Sequence, residues 1–173
     1  DISIKEYLRM IGSKSASLIA ASTEIGALLA TGDRQMVEYY RLFGWEMGLA
    51  FQMVDDILGI WGDPQVTGKS AASDILSRKK TLPILYALHR LESTGRITNG
   101  QVLRQIYQQP QMQESDLARV LELLEEAGAH PYVQAQAEGH TTRALAALDQ
   151  TGVENAAQQQ LREARKQLEV ARA

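Results

Sequence analysis

The sequence contains no cysteine, which excludes disulfide staples and thiolate metal sites. Proline is scarce, with four residues in 173, and aromatic residues make up only 6% of the chain. Both shortages weigh against turn-rich β architecture. No apolar run reaches the roughly 20 residues that a membrane-spanning helix requires. Eighteen basic residues stand against 21 acidic ones, a net charge of −3, so no basic excess points to nucleic acid. What remains is rich in Ala, Leu, Gln and Glu, all compatible with helix throughout. The length suits one domain able to bury a core, and the cytoplasm is the compartment expected by default.

Apolar spacing divides the chain into helices. Ser3 and Glu6 have the spacing of a capping box, so a helix is expected over 4–29. Because this box follows directly on Asp1, with no methionine, the start resembles an inter-helix loop and the chain is expected to be a piece of a longer polypeptide. Tyr7, Ile11, Lys14, Leu18, Ala21, Ile25 and Leu28 recur at spacings of four and three, which predicts one inward stripe. Lys14 on that stripe calls for an internal anion rather than a snorkelling side chain. Gly32-Asp33 ends the helix. A second helix is expected over 34–61, with Tyr40, Phe43, Met47, Ala50, Val54, Leu58 and Trp61 as its apolar seam. Gly44 and Gly48 would permit close helix approach.

From Gly62 to about Arg78 the periodicity dissolves, which predicts a long loop holding at most a short helix. Loops of this length in compact domains are usually functional. Pro83 then opens a helix over 83–91 as a first-turn proline. Further helices are expected near 101–108, 115–127, 132–148 and 155–171. Their breaks fall at Gly95 to Gly100, Pro110, Gly128 to Pro131 and Gly152. No period-two strand pattern occurs, so the expected fold class is all-α, a single domain over 1–173.

The chemically distinctive residues lie in Phe51-Gln52-Met53-Val54-Asp55-Asp56-Ile57-Leu58. An acidic pair on a helix is ordinarily a solvated surface feature, but here apolar residues flank it on nearly all sides. Burying adjacent carboxylates removes hydration that only a cation or several donors restore. Oxygen ligands so presented suit Mg²⁺, which takes few carboxylates and fills its octahedron with water and phosphate oxygens. Gln52, Asp55, Asp56 and Gly59 fall on one helix face. Lys69 and Lys79 downstream would complement a polyanion, although each alone reads as a solvated lysine. Gly68-Lys69-Ser70 is not a P-loop, because Asp63 stands where the first glycine belongs and no strand precedes it. Asp74 fits a cation ligand and a helix cap equally. His89, His130 and His140 are scattered with no Glu-x-x-His pair, contrary to a di-iron bundle. The segment reads as one half of a magnesium–diphosphate site.

The ordered set Tyr7-Leu8, Lys14-Ser15, Gly44, Gly48, Phe51-Gln52, Asp55-Asp56-Ile57-Leu58, Gly62-Asp63, Gly68-Lys69, Asp74 and Lys79-x-Thr81-x-Pro83 resembles the trans-isoprenyl diphosphate synthases of the polyprenyl synthetase family. The resemblance spans 4–88, and the remainder matches only as a helical tail. It implies an isoprenoid-synthase-type helical bundle, of which this chain is the C-terminal half. It also implies a cytoplasmic, homodimeric prenyltransferase that condenses isopentenyl diphosphate with an allylic prenyl diphosphate, with Mg²⁺ as cofactor. Asp55 and Asp56 would then hold Mg²⁺ as the second of two aspartate-rich motifs. Lys14, Ser15, Gln52, Lys69 and Lys79 would contact the allylic diphosphate, with Lys14, Gln52, Lys69 and Lys79 as the catalytic set.

Two departures accompany the resemblance. Gly59 stands where the third acid of DDxxD falls, as in a branch of geranylgeranyl-type synthases, and Gly59→Asp is expected to be tolerated if the pocket is aqueous there. Ser15 replaces a frequent threonine and keeps the hydroxyl. The family's first aspartate-rich motif lies upstream, so this chain alone is expected to be incomplete as a catalyst. Two alternatives stay open: a class I terpene cyclase on the same scaffold, and a non-catalytic partner subunit of a prenyl synthase. Asp55, Asp56, Lys14 and Lys79 weigh against the latter.

Overall fold

The computed structural model describes residues 2–68 and 72–170, and every regular element among them is helical, as the composition and spacing predict. The helices are α1 (Ile4–Ile11), α2 (Ser17–Ala30), α3 (Arg34–Trp61), α4 (Pro64–Thr67), α5 (Ser73–Leu76), α6 (Leu82–Ser93), α7 (Ile97–Gln108), α8 (Glu114–Ala127), α9 (Ala129–Asp149) and α10 (Ala156–Val170). None of the described helices is long and apolar enough to cross a membrane.

Local chemistry explains most of these bounds. The capping box forms: Ser3 Oγ accepts from the Glu6 amide at 3.2 Å, and Glu6 Oε2 accepts from the Ser3 amide at 2.8 Å. Asp33 Oδ1 accepts from the amides of Gln35 and Met36 at 2.8 and 3.3 Å, which starts α3 at the expected residue. Two helices begin earlier than the spacing predicts. Gly100 does not break α7; it lies inside the helix, where an added Cβ would come within 2.9 Å of Glu92 Cγ. Pro131 lies in the first turn of α9, where its missing N–H breaks no helical hydrogen bond. Only Gly128, at φ 68°, separates α8 from α9.

The largest correction concerns register. A π-turn over Gly12–Ala16 joins α1 to α2 without interruption. Such a turn inserts one residue and rotates everything after it by about 100°. The buried positions therefore run Ile11, Ala16, Ala20 and Ala27, and not through Leu18, Ile25 and Leu28, which are 70, 57 and 57% exposed. Lys14 lies in the π-turn and is exposed, so the inward placement expected from spacing is overturned.

The chain divides into two compact units. The first comprises Asp1–Tyr7 and Asp55–Gln134, and the second Leu8–Val54 and Ala135–Ala173. In the first, Ile84, Ala87 and Leu91 of α6, Leu103 and Ile106 of α7, and Val120, Leu123 and Leu124 of α8 close a core on Ile60 of α3 and Ile75 of α5. In the second, small residues set the packing. A Cβ on Gly48 would come within 2.5 Å of Ala16 Cα, so the backbones of α3 and the π-turn touch. Phe43, Met47, Ala50 and Val54 of the predicted α3 seam are buried.

Candidate functional site

The acidic pair occupies the C-terminal third of α3, and its two members have different surroundings. The Asp55 side chain is about one-third exposed, whereas that of Asp56 is 1% exposed. Burying a carboxylate so fully requires donors, and they are present. Asp56 Oδ2 accepts from the Tyr7 hydroxyl at 2.5 Å and from the Leu82 amide at 3.0 Å. Those two bonds occupy one oxygen from inside the fold. The other, Oδ1, lies 3.5 Å from the Lys79 ammonium. Burial, then the negative charge of Asp56, raises the Tyr7 hydroxyl far above the ordinary tyrosine range, so it stays a donor.

Lys79 gathers three acids of this unit. Its ammonium sits 2.8 Å from Asp74 Oδ2, 3.5 Å from Asp56 Oδ1 and 3.9 Å from Asp55 Oδ2. Partial burial pulls its pKa down, but the hydrogen bond to Asp74 and the surrounding carboxylates outweigh that and hold it above the usual lysine range. The ammonium is charged at any physiological pH.

Asp74 is settled as a member of this cluster. It lies in the first turn of α5, whose N-cap position is Ala72, so it is not the capping residue. Its carboxylate fills the space beside Gly59, where an ideal Cβ would stand 2.4 Å from Asp74 Oδ2 and 2.5 Å from Cγ. The position that would carry the third acid of DDxxD is thus occupied by a carboxylate from another segment. A side chain at position 59 requires the Asp74 carboxylate to shift, so the tolerance expected of Gly59→Asp depends on that movement.

The connector that delivers Asp74 and Lys79 is strained. Ala72 and Arg78 have φ of 52° and 53°, a left-handed conformation unfavourable to residues with a side chain. The Arg78 guanidinium donates to the Gln109 carbonyl and anchors the return of the connector. Thr81 is buried, and its hydroxyl lacks a hydrogen-bond partner among the described residues.

The other expected diphosphate residues are distributed differently. Ser15 and Gln52 meet within the second unit, the Ser15 hydroxyl donating to Gln52 Oε1 at 2.9 Å. Lys14, next to Ser15, is exposed. Lys69 lies outside the described residues. His130 packs edge-on against Trp61 at 4.8 Å, and His140 pairs with Glu46 at 2.7 Å. Spacing alone missed Tyr7 and the Leu82 amide as supports of Asp56. A buried tyrosine needs a partner for its hydroxyl, so Tyr7 at the head of the first stripe was a usable signal. The Leu82 amide left no mark in the sequence.

Among the described residues, no three acid or imidazole groups stand close enough together to cage a metal by themselves. The Lys79 ammonium lies 2.8–3.9 Å from oxygens of three carboxylates. That set fits a hard cation that takes one or two protein ligands and completes its shell with water and phosphate.

Comparison with known proteins places these residues in context. A family model described as polyprenyl synthetase matches residues 1–124. The (2E,6E)-farnesyl diphosphate synthase of Mycobacterium tuberculosis is 40% identical over 153 residues, covering 88% of this chain and 42% of that protein. A geranylgeranyl diphosphate synthase of the same organism is 40% identical over 149 residues, covering 86% and 41%. The crystal structure of geranylgeranyl pyrophosphate synthase from Corynebacterium glutamicum, complexed with isoprenyl diphosphate and magnesium, superposes with a TM-score of 0.84 at 29% identity, over 94% of this chain and 45% of that one. The chain thus spans less than half the length of these relatives.

Proposed function

Since the chain belongs to the polyprenyl synthetase family, we propose that it carries the diphosphate-ionising part of a trans-prenyltransferase of farnesyl or geranylgeranyl type. The reaction condenses isopentenyl diphosphate with an allylic prenyl diphosphate. The observation that carries the proposal is the grouping of Asp55, Asp56 and Asp74 around one ammonium, with Asp56 buried and braced from behind.

Ionising the allylic C–O bond leaves negative charge on the departing diphosphate, and groups that stabilise this charge more than the ground state accelerate the step. Asp55 and Asp56 would hold Mg²⁺, which would supply much of that stabilisation. Tyr7 and the Leu82 amide keep Asp56 oriented, and Lys79 adds a positive charge beside the leaving group. Lys14, Ser15, Gln52 and Lys69 are proposed as further diphosphate contacts on the strength of the family pattern. The exposure of Lys14 leaves its ammonium accessible to an anion. A homodimer and a cytoplasmic location are proposed on the same basis.

Asp55→Ala tests the assignment. In calorimetry on the intact protein, Mg²⁺-dependent binding of an allylic diphosphate should weaken by about 100-fold. Helicity should be unchanged, since the Asp55 side chain is about one-third exposed and water can solvate the space it leaves. Unaltered binding would contradict the site. Chain elongation also needs two substrates, so product must vanish when isopentenyl diphosphate is withheld. Product formed from one prenyl diphosphate alone would favour cyclisation.

A further inference from the structure

We infer that Lys79 is an internal place-holder for the divalent cation: its ammonium occupies the acidic cup until a diphosphate draws it out, so that metal enters together with the diphosphate and not ahead of it. The inference rests on the proposed function and adds a regulation of that same site.

The first argument is positional. One ammonium lies 2.8, 3.5 and 3.9 Å from oxygens of Asp74, Asp56 and Asp55. A divalent ion sharing two of these oxygens would stand within a few ångströms of Nζ, where two positive charges repel strongly in a partly buried setting. Metal and Lys79 therefore compete for one cup.

The second argument concerns which partner can yield. Asp56 cannot turn away, because Tyr7 and the Leu82 amide hold its Oδ2 from inside. Asp74 is confined against the backbone of Gly59. Lys79 is different: its side chain is 43% exposed and ends a flexible four-carbon stem. When a second cation arrives, the lysine is the group that moves.

The third argument identifies the trigger. Metal alone brings the displaced ammonium no new anionic acceptor. A diphosphate offers it anionic oxygens, so its departure from three carboxylates is offset by new charge-assisted hydrogen bonds. Metal and diphosphate then raise each other's affinity by the same factor, as linkage requires. The glycine at position 59 belongs to this device. A side chain there would expel the Asp74 carboxylate that holds Lys79 most closely.

The test is metal binding without substrate, measured by titration calorimetry with Mn²⁺ and with Mg²⁺ on the intact protein. Lys79→Met should tighten metal-alone binding about tenfold while weakening inorganic diphosphate binding at saturating metal. Lys80→Met removes the same charge one residue away and should shift metal-alone affinity less than about twofold. Equal gains in the two variants would reduce the effect to net charge and overturn the place-holder. No gain in Lys79→Met, with its helical spectrum intact, overturns it equally. Should Lys79→Met not fold, the wild-type protein decides the matter. The Lys79 ammonium resonance should move when Mg²⁺ and diphosphate are added together, and stay in place with Mg²⁺ alone; movement with Mg²⁺ alone refutes the inference. If wild-type protein takes up no diphosphate at all, the proposed function fails instead, a separate outcome.

Discussion

Replacing Asp56 with alanine is expected to destabilise the first unit by about 3–5 kcal/mol, while Asp55→Ala changes stability by less than about 1 kcal/mol. The two residues are neighbours with the same side chain, so the difference comes from their surroundings. Asp56 is 1% exposed and satisfies two buried donors, the Tyr7 hydroxyl and the Leu82 amide. Deleting the carboxylate strands both donors without water and removes a neighbour of the Lys79 ammonium. An unsatisfied buried group loses its full hydration, which exceeds the net gain of an ordinary hydrogen bond. Asp55 retains about one-third of its exposure, so water replaces most of what it loses. Denaturant unfolding read through Trp61, which packs on the core of this unit, measures the difference directly. Coincident midpoints for the two variants would show that Asp56 is not a structural anchor. Asp56→Asn should fall between them, since the amide keeps one acceptor oxygen for two donors.

The Asp56 result bears on how an acidic pair is read. Spacing gave both aspartates one role, because adjacent identical residues in an apolar run carry no mark to distinguish them. The distinction arises from Tyr7, 49 positions earlier, and from an amide 26 positions later. Neither contact has a local signature. Asp74 is the same case: its fate as neighbour of Lys79, and not as cap of α5, depends on a bare backbone at Gly59 across the connector. What was legible was legible through local chemistry. The capping box at Ser3 and Glu6 and the start of α3 at Arg34 are decided within a few residues and match the structure, and Phe43, Met47, Ala50 and Val54 of the α3 seam are buried while Tyr40, Leu58 and Trp61 are only half-buried. The π-turn is the opposite kind of feature. It leaves the helix unbroken, so the helix was predicted correctly while every inward position after Ile11 was displaced. Lys14 was misplaced for that reason alone.

Gly48→Ala and Gly26→Ala should move the stability of the second unit in opposite directions. Helix propensity alone favours both changes, since alanine exceeds glycine by about 0.8–1 kcal/mol inside a helix. Gly26 lies in α2 with nothing within 4 Å of an added Cβ, so it should realise that gain. At Gly48 the added carbon would stand 2.5 Å from Ala16 Cα, 3.1 Å from its Cβ and 3.3 Å from its amide nitrogen. Two of these three are main-chain atoms, and no rotamer change relieves the contact. The π-turn and α3 must separate, which also loosens the neighbouring approach of Gly44 to Ile19 and Ala20, and the Trp45 ring on Gly12. Overpacking of this kind typically costs about 1–3 kcal/mol, enough to overturn the propensity gain. Unfolding followed by Trp45 fluorescence should therefore place Gly26→Ala above the parent protein and Gly48→Ala below it. If both variants gain stability, the close contact between these backbones is wrong, and with it the argument that glycine at position 48 is there for proximity and not by chance.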